Sequence, residues 1–265
     1  MRFASLGSGS GGNCLVVEAE STTAKPTRLL LDCGFGLRDV INRLQRLDLE
    51  PEHITGILVT HEHDDHAKGV FKLANKFNIP VWLTHGTLKM CERYMPVKHG
   101  IQINVIDSHQ SFAIEALQLT PYPVPHDARE PTQFVFSDGN RKLGVLTDTG
   151  SSTPYIETVL SGCDALVLEC NHDLDMLDKG PYAWTLKKRV GSRLGHLDNA
   201  SAAVLLSRLD NSKLQHIVAA HLSAKNNSPE LAKNALSQVL NCTLDWIGIA
   251  EQDLGFGWRE FNHTI

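Results

Sequence analysis

Histidines and acidic side chains are concentrated in the segment His-Glu-His-Asp-Asp-His at positions 61–66. The segment follows directly on an apolar stretch that reads as a buried strand. In an extended chain, His61 and His63 point to the same side and could share one metal ion through their imidazole nitrogens, while Asp65 and His66 turn toward a second ion. Ionisable groups at the end of a buried strand are costly unless a metal or a partner compensates them. The segment therefore predicts a metal site rather than a solvated loop.

Further residues of metal-binding type follow predicted strands downstream. His126 comes after a strand that ends near Tyr122, and it could complete the set formed by His61 and His63. Asp148 ends an apolar run, where a carboxylate at the mouth of a sheet can bridge two cations. His221 follows another strand and is the natural last ligand of the second ion. Each of these residues alone is weak support, but together they predict a centre for two ions.

The strands that must position these residues are short and rich in β-branched or aliphatic side chains. They are predicted at 14–18, 28–32, 56–60, 81–84, 103–106, 117–122, 132–137, 142–147, 165–169, 216–220 and 245–249. Apolar residues at helical spacing predict helices at 38–47 and 199–209, and Pro229 favours the start of a third at 230–240. The alternation predicts a mixed α/β fold. The pattern leaves open whether the strands form a sandwich flanked by helices or a doubly wound sheet.

Length and composition allow one large domain. The chain has 265 residues, of which 42% are hydrophobic, and no linker-like tract divides it, so we expect a single domain over 1–265. Its apolar stretches are far shorter than the roughly 18 residues of a membrane-spanning helix, and its first residues lack the apolar run of an export signal. Six scattered cysteines without a CxxC pair suit a reducing compartment. We therefore expect a cytoplasmic protein that does not cross a membrane.

The charge distribution limits how the chain could bind nucleic acid. A net charge of −5 argues against general electrostatic binding, because neutralising phosphates needs clustered lysine and arginine. One segment, 179–193, has five basic residues and no acid, including Lys187, Lys188 and Arg189. A nucleic-acid backbone running along this segment would reach the predicted metal site. A solvated helical face is the alternative explanation.

The spaced motifs resemble those of a known superfamily over almost the entire chain. Residues 61–66 match the HxHxDH signature of the metallo-β-lactamase superfamily, and His126, Asp148 and His221 match its later metal motifs. The resemblance implies an α/β fold of four layers, an αββα sandwich with the site at one edge between the sheets. It also implies the ligand sets. One site would be formed by His61, His63 and His126, a second by Asp65, His66 and His221, with Asp148 bridging the two ions.

Four other segments resemble one branch of that superfamily, the YycJ/WalJ-type metallo-hydrolases. They are Gly-Ser-Gly-Ser-Gly-Gly-Asn at 7–13, and the segments at 168–173, 195–199 and 221–227. The resemblance implies 5′ to 3′ exonuclease action on DNA, and more broadly phosphodiesterase chemistry of the ribonuclease Z kind. At position 198 this chain has aspartate, whereas most relatives in the branch have serine there. Only about 72 residues separate Asp148 from His221, which is too few for the added β-CASP domain of some nucleic-acid-processing members.

The resemblance also implies a mechanism. Two divalent cations, for which zinc, manganese and iron are all compatible with the ligand types, would activate a bridging hydroxide as the nucleophile. Asp65 would serve the catalytic centre as a ligand, His196 would be the general acid, and Glu169 would orient it. Alternatively, His196 is only a residue at the start of a helix and Glu169 only an acid at a strand end. His172 is a weaker candidate for the general acid.

The glycine-rich segment at 7–13 could present backbone N–H groups to a phosphate, or it could be only a tight turn. Four polar side chains are further candidate hydrogen-bond donors to phosphate or to metal ligands: Ser10, Asn13, Asn226 and Asn227.

Other functions remain open on the sequence. The metal motif also suits a thioesterase of the glyoxalase II kind, although the 44 residues after His221 are few for its helical substrate domain. A β-lactamase is disfavoured because those enzymes are exported. A non-catalytic regulatory module that is stabilised by metal is a third possibility. The leading expectation is a nuclease, with DNA favoured over RNA as its substrate.

Overall fold

The computed structural model describes residues 1–21, 25–98 and 100–262, and within them two seven-stranded sheets pack together. The first sheet contains β1 (Arg2–Gly7), β2 (Cys14–Ala19), β3 (Thr27–Leu31), β4 (Gly56–Leu58), β5 (Val81–Thr84), β6 (Ile103–Ile106) and the last strand, β14 (Phe256–Glu260). The second contains β7 (Phe112–Ile114), β8 (Leu117–Pro123), β9 (Thr132–Ser137), β10 (Lys142–Leu146), β11 (Ala165–Glu169), β12 (His216–Ala220) and β13 (Ile247–Ile249). The strand orders are β14-β1-β2-β3-β4-β5-β6 and β13-β12-β11-β10-β9-β8-β7.

Nine α-helices are present in the described ranges. They are α1 (Leu37–Gln45), α2 (Asp64–Ala67), α3 (Val70–Phe77), α4 (His85–Cys91), α5 (Pro154–Leu160), α6 (Leu174–Lys179), α7 (Trp184–Val190), α8 (Asn199–Arg208) and α9 (Pro229–Leu240). Short 3₁₀ helices lie at Pro51–His53, Glu92–Tyr94 and Leu244–Trp246. None of the helices in this part of the chain combines the length and apolar character that a membrane span would need.

Alternating side chains on the strands divide the interior into three apolar cores. Along β2, Leu15 and Val17 enter the core between the sheets, whereas Cys14 and Val16 enter a core with α1 and α3. This alternation follows from the two-residue period of a strand. Because both faces of the strand are covered, the first sheet has one face against helices and the other against the second sheet.

The second sheet repeats the arrangement on the other side. Along β11, Ala165 and Val167 belong to the central core, whereas Leu166 and Leu168 pack in a third core that includes α8 and α9. Helix, sheet, sheet and helix therefore form four layers. The predicted αββα sandwich is confirmed, and the doubly wound alternative is excluded because the strands form two sheets rather than one.

The predicted strands are present with small changes in their bounds, but β1, β7 and β14 were not predicted. In β1 nearly every residue is buried, so the sequence lacks the apolar and polar alternation that would reveal a strand. The strand predicted at 245–249 begins only at Ile247, because Leu244–Trp246 form a 3₁₀ helix. All six cysteines are free and five are buried, as expected for small apolar residues.

The structure explains why aspartate can stand at position 198, where most relatives have serine. Its side chain caps α8, where Oδ1 accepts from the Ser201 N–H at 2.9 Å and Oδ2 accepts from the Ser201 hydroxyl at 2.6 Å. Aspartate and serine are comparable at this capping position. The replacement therefore preserves the start of the helix.

Candidate metal centre

Three histidines bring ring nitrogens to one point at the edge between the sheets. His63 Nδ1 lies 3.0 Å from His61 Nε2 and 3.3 Å from His126 Nε2. Burial holds the pKa of His61 well below its usual value and also lowers that of His126, so both rings present neutral nitrogens. Neutral imidazole is the form that binds a metal. This group could hold one cation.

A second group lies beside the first. Asp65 Oδ2 is 3.4 Å from His221 Nε2 and 3.5 Å from His66 Nε2. Asp148 stands between the groups, with Oδ2 3.2 Å from His66 Nε2 and Oδ1 4.0 Å from His126 Nε2. All seven side chains that were predicted as ligands therefore lie together, in the two predicted sets and with Asp148 between them.

The surroundings of Asp148 fit a bound cation. Its side chain is 3% exposed, and Oδ2 accepts no hydrogen bond from the described residues, although a buried carboxylate oxygen ordinarily has a partner. The imidazole nitrogens and carboxylate oxygens around it are ligands that zinc, manganese and iron accept. A cation between the groups would complete the contacts of this oxygen, which otherwise has only the His66 ring at 3.2 Å, and would balance the carboxylates.

The backbone at the strand ends takes an uncommon conformation. Asp148 follows β10 and His221 follows β12, and their φ angles are 54° and 56°. Asp32, directly after β3, has a φ of 64°. Residues other than glycine seldom adopt this left-handed region, and such strain is concentrated at functional sites. At all three positions the left-handed residue ends the strand and places its side chain in the cluster.

Asp32 is a site residue that the sequence analysis placed only within a strand. Its Oδ2 lies 2.8 Å from His66 Nδ1 and accepts from the Thr60 hydroxyl at 2.8 Å, and its Oδ1 accepts from the Thr60 N–H at 2.8 Å. This contact orients the His66 ring and leaves Nε2 facing Asp65 and Asp148. The signal was available, since an acid that follows an apolar run, here Leu29–Leu31, is the same pattern that identified Asp148.

Asn13 supports the second group from the glycine-rich segment. Its Nδ2 lies 3.0 Å from His66 Nε2 and 3.3 Å from Asp65 Oδ2, and its backbone N–H donates to the Asp65 carbonyl at 2.8 Å. Its own Oδ1 accepts from the Gly9 N–H at 2.8 Å. The segment thus holds ligands in place through Asn13, while Ser10 reaches the cavity described below.

Gly34 allows the backbone of Asp65 to approach closely, which permits a test of this packing. A Cβ at Gly34 would lie 1.8 Å from the Asp65 carbonyl oxygen, whereas a Cβ at Gly36 would meet nothing within 4 Å. We expect Gly34→Ala to lower the free energy of unfolding by about 1–3 kcal/mol and to weaken metal binding, because the Asp65 backbone must move. Denaturant unfolding and metal titration check this, with Gly36→Ala as the matched control. Equal behaviour of the two variants would contradict it.

Glu169 and His196 form a buried pair beside the metal groups. His196 Nδ1 lies 2.8 Å from Glu169 Oε1, while Glu169 Oε2 accepts from the N–H groups of Thr149 at 3.0 Å and Leu197 at 3.2 Å. Burial alone would raise the pKa of Glu169, but His196 beside it and the hydrogen bonds lower it to about 2. Burial likewise opposes the charged form of His196, yet Glu169 raises its pKa above the usual value. The contact is therefore between a carboxylate and a ring N–H.

Three other residues that the sequence suggested for the site do not line the cavity beside the metal groups. His172 is buried beneath the surface and does not line the cavity, whereas His196 does. Asn227 donates from Nδ2 to the Cys170 carbonyl at 2.7 Å, and Asn226 is buried against the Ser223 hydroxyl. Neither asparagine lines the cavity, so both hold the loops that carry Glu169 and His221.

Four of the proposed ligands line a cavity of about 400 Å³, namely His63, Asp65, Asp148 and His221. Leu186, Arg189 and Val190 of helix α7, which is part of the basic segment, also line the cavity, and so does Arg93. Arg189 of α7 is paired with Asp127, with its Nε 2.6 Å from Oδ2. The cavity therefore joins the predicted catalytic residues to the basic segment.

Two curated relatives align with most of the chain. The chain is 37% identical over 243 residues to exodeoxyribonuclease YycJ of Bacillus anthracis, an alignment that covers 91% of this chain and 89% of that protein. It is 31% identical over 258 residues to exodeoxyribonuclease WalJ of Streptococcus pneumoniae, covering 97% and 91% of the two chains.

Among solved structures, the metallo-beta-lactamase fold protein YhfI from Bacillus subtilis aligns with a TM-score of 0.73 at 16% identity, over 98% of this chain and 99% of that one. Residues 27–221 match the family model of the beta-lactamase superfamily domain. On the family match, the two relatives and the shared fold, the chain belongs to the beta-lactamase superfamily.

Proposed function

We propose that this chain is a metal-dependent nuclease, and more specifically a 5′ to 3′ DNA exonuclease that uses two divalent cations. The observation that carries the proposal is the position of His196 beside the metal groups, where it lines the cavity and is held from behind by the buried Glu169. Two relatives that align over most of the chain are named exodeoxyribonucleases, which supports DNA as the substrate.

The proposed metal ligands are the members of the two groups described above. His61, His63 and His126 would hold one cation, and Asp65, His66 and His221 the other. Asp148, between them, would contact both. Bound divalent cations supply Lewis-acid stabilisation of a phosphodiester and an activated water at neutral pH. Zinc, manganese and iron all suit these ligand types.

The chain's own residues would orient the substrate and move a proton. Glu169 accepts from His196 Nδ1 and so fixes the ring with Nε2 free to face a substrate. His196 is 21% exposed toward the cavity, so it can donate a proton to the oxygen that leaves when the phosphodiester breaks. Two backbone N–H groups hold Glu169 in turn, which keeps the pair in one geometry.

The test is nucleotide release from DNA and RNA strands that are labelled at either end, each with Mn²⁺ or Zn²⁺, alongside a small phosphodiester and a thioester. We expect single nucleotides from the 5′ end of DNA and no release after chelation. Release of nucleotides from the 3′ end would contradict the proposed 5′ to 3′ direction of degradation. Hydrolysis of the thioester alone would replace the nuclease by a thioesterase, and no metal-dependent turnover of any substrate would indicate a non-catalytic module.

The basic segment predicts how DNA is bound. Lys188 is exposed on α7, and Lys187 donates from Nζ to the Asp178 carbonyl. We expect the double variant Lys187→Glu and Lys188→Glu to weaken DNA binding and to reduce the slope of log affinity against log salt by about 2, since each phosphate contact contributes roughly one unit.

Binding measured at several salt concentrations checks this prediction. The control is Lys213→Glu, an exposed lysine that precedes β12 and therefore lies at the opposite end of that strand from His221. If the double variant and the control bind DNA alike, the segment is only a solvated helical face.

We also propose that residues 1–265 form one domain. The support is the central core, which contains side chains of both sheets, and the return of the chain from β13 in the second sheet to β14 in the first. Neither sheet could keep its inner face buried without the other.

A further inference from the structure

One wall of the catalytic cavity is apolar. Among the described residues that line the cavity, Tyr182, Leu186 and Val190 are the large side chains with apolar surface, and the rest of the lining is mostly charged or polar. Leu186 and Val190 are one turn apart on α7 and share a face. Leu186 is 37% exposed, so this face is open rather than packed against the protein.

The wall is held close to the proposed general acid. The Val190 carbonyl accepts from the His196 N–H at 2.9 Å, and a Cβ at Gly195 would lie 2.1 Å from that same carbonyl oxygen. The ion pair of Arg189 with Asp127 ties the helix to the loop that carries His126. The apolar wall is therefore fixed in position relative to the residues that would act on the phosphodiester.

Charge and size indicate what the cavity receives. Arg93 and Arg189 line the cavity beside their ion-pair partners Asp64 and Asp127, and four of the proposed metal ligands line it as well. A phosphate would be attracted to the guanidinium groups and to the proposed cations. A volume of about 400 Å³ lies near the lower end of the range for pockets that enclose one small molecule. This volume is of the order of one nucleotide, whose phosphate would lie toward the charged residues and whose base would lie toward the apolar wall.

We propose that Tyr182, Leu186 and Val190 form a nucleobase subsite, which receives the unpaired base of the nucleotide being released. The inference rests on the proposed nuclease function and adds to it the recognition of a base. The aromatic ring and the aliphatic side chains offer a contact that every base can use, so the subsite selects for the presence of a base and not for its sequence. The end of a duplex must open before its terminal nucleotide can enter.

The experiment compares single-stranded oligonucleotides that end either in a normal nucleotide or in an abasic one, at the end that the enzyme degrades. The measured quantity is kcat/KM for release of the first residue, in the presence of Mn²⁺. We expect the wild type to release the normal residue on the order of tenfold faster or more, the factor that stacking on a base provides. The double variant Tyr182→Ala and Leu186→Ala should lose that factor on the normal end and keep the wild-type rate on the abasic end.

Trp184→Ala is the matched control. Trp184 lies on the same helix and is 71% exposed, but it does not line the cavity, and Lys188 Nζ lies 5.2 Å from its ring. This variant should keep the wild-type ratio between the two ends.

A second experiment uses duplex DNA. The wild type should degrade a duplex with a mismatched terminal pair faster than one with a matched pair.

The outcomes separate the two proposals. If the wild type degrades no oligonucleotide, the nuclease function fails and the subsite fails with it. If the wild type is active but releases both ends equally, or if the double variant slows both ends by the same factor, the nuclease function stands and the nucleobase subsite is wrong. Equal rates for matched and mismatched duplex ends would overturn the entry of an unpaired base.

Discussion

Replacement of Asp148 by asparagine is expected to lower kcat/KM on DNA on the order of a thousandfold or more. Asp148 is the carboxylate between the two metal groups, and its Oδ2 is buried without a hydrogen-bond partner among the described residues. Asparagine has nearly the same shape but carries no charge, so the site loses attraction for both cations while its packing is retained. Each 1.4 kcal/mol of lost stabilisation is a factor of ten, and a bound cation contributes several kcal/mol to the transition state.

Elemental analysis of the purified variant, together with metal titration and DNA degradation, measures the effect. We expect fewer ions per chain than in the wild type, with weaker binding of those that remain. Asp253→Asn, at a side chain that is 90% exposed, is the matched control and should behave as the wild type. An Asp148→Asn variant that binds the wild-type complement of ions and degrades DNA at the wild-type rate would rule out Asp148 as the shared ligand.

Removal of the His196 side chain is expected to lower kcat on DNA by about 10²- to 10⁴-fold, the usual contribution of a positioned general acid. His196→Ala should have little effect on a phosphodiester with an activated aryl leaving group, because an aryloxide leaves without needing a proton. The same variant should keep the wild-type metal content. This pattern would separate a proton donor from a residue that only supports the fold.

Metal content and activity on the two substrates distinguish whether His196 is the general acid or a metal ligand. Its Nδ1 also lies 3.6 Å from Asp148 Oδ1, and with Glu169 and His221 it forms a group that could itself hold a cation. If His196→Ala loses bound metal together with activity on both substrates, His196 is a metal ligand and not the general acid.

Glu169 is a positioning residue, because it would act through His196. Glu169→Gln should therefore show the same dependence on the leaving group as His196→Ala, with a smaller loss of kcat on DNA. Equal losses on both substrates would instead assign Glu169 a structural role.

Much of the fold was predictable because the strands that build it are covered on both faces. Segments such as β3, β10 and β11 read as short aliphatic runs and were predicted within a residue or two of their observed ends. The division of those strands into two sheets was not readable from their composition. It depends on which strand pairs with which, and the sandwich was expected only through the resemblance to a known superfamily.

The types and order of the proposed metal ligands were determined by the sequence alone. The segment at 61–66, together with His126, Asp148 and His221, places metal-binding side chains within a few residues of the ends of apolar strands. The chemistry of these residues is a property of each local segment. It could therefore be read without knowing how the segments pack.

Only the tertiary structure showed that Asp32 supports that centre and which apolar side chains share its cavity, whereas the Glu169 and His196 pair was expected through the resemblance. Asp32 meets His66 across 34 residues, Asn13 meets it across 53, and Glu169 meets His196 across 27, so none of these contacts leaves a periodic pattern in the sequence. The apolar wall on α7 likewise becomes part of the cavity only because Gly195 and Val190 pack closely beside His196. Long-range packing, rather than residue type, places the proposed metal ligands, His196 and the apolar side chains of α7 around one cavity.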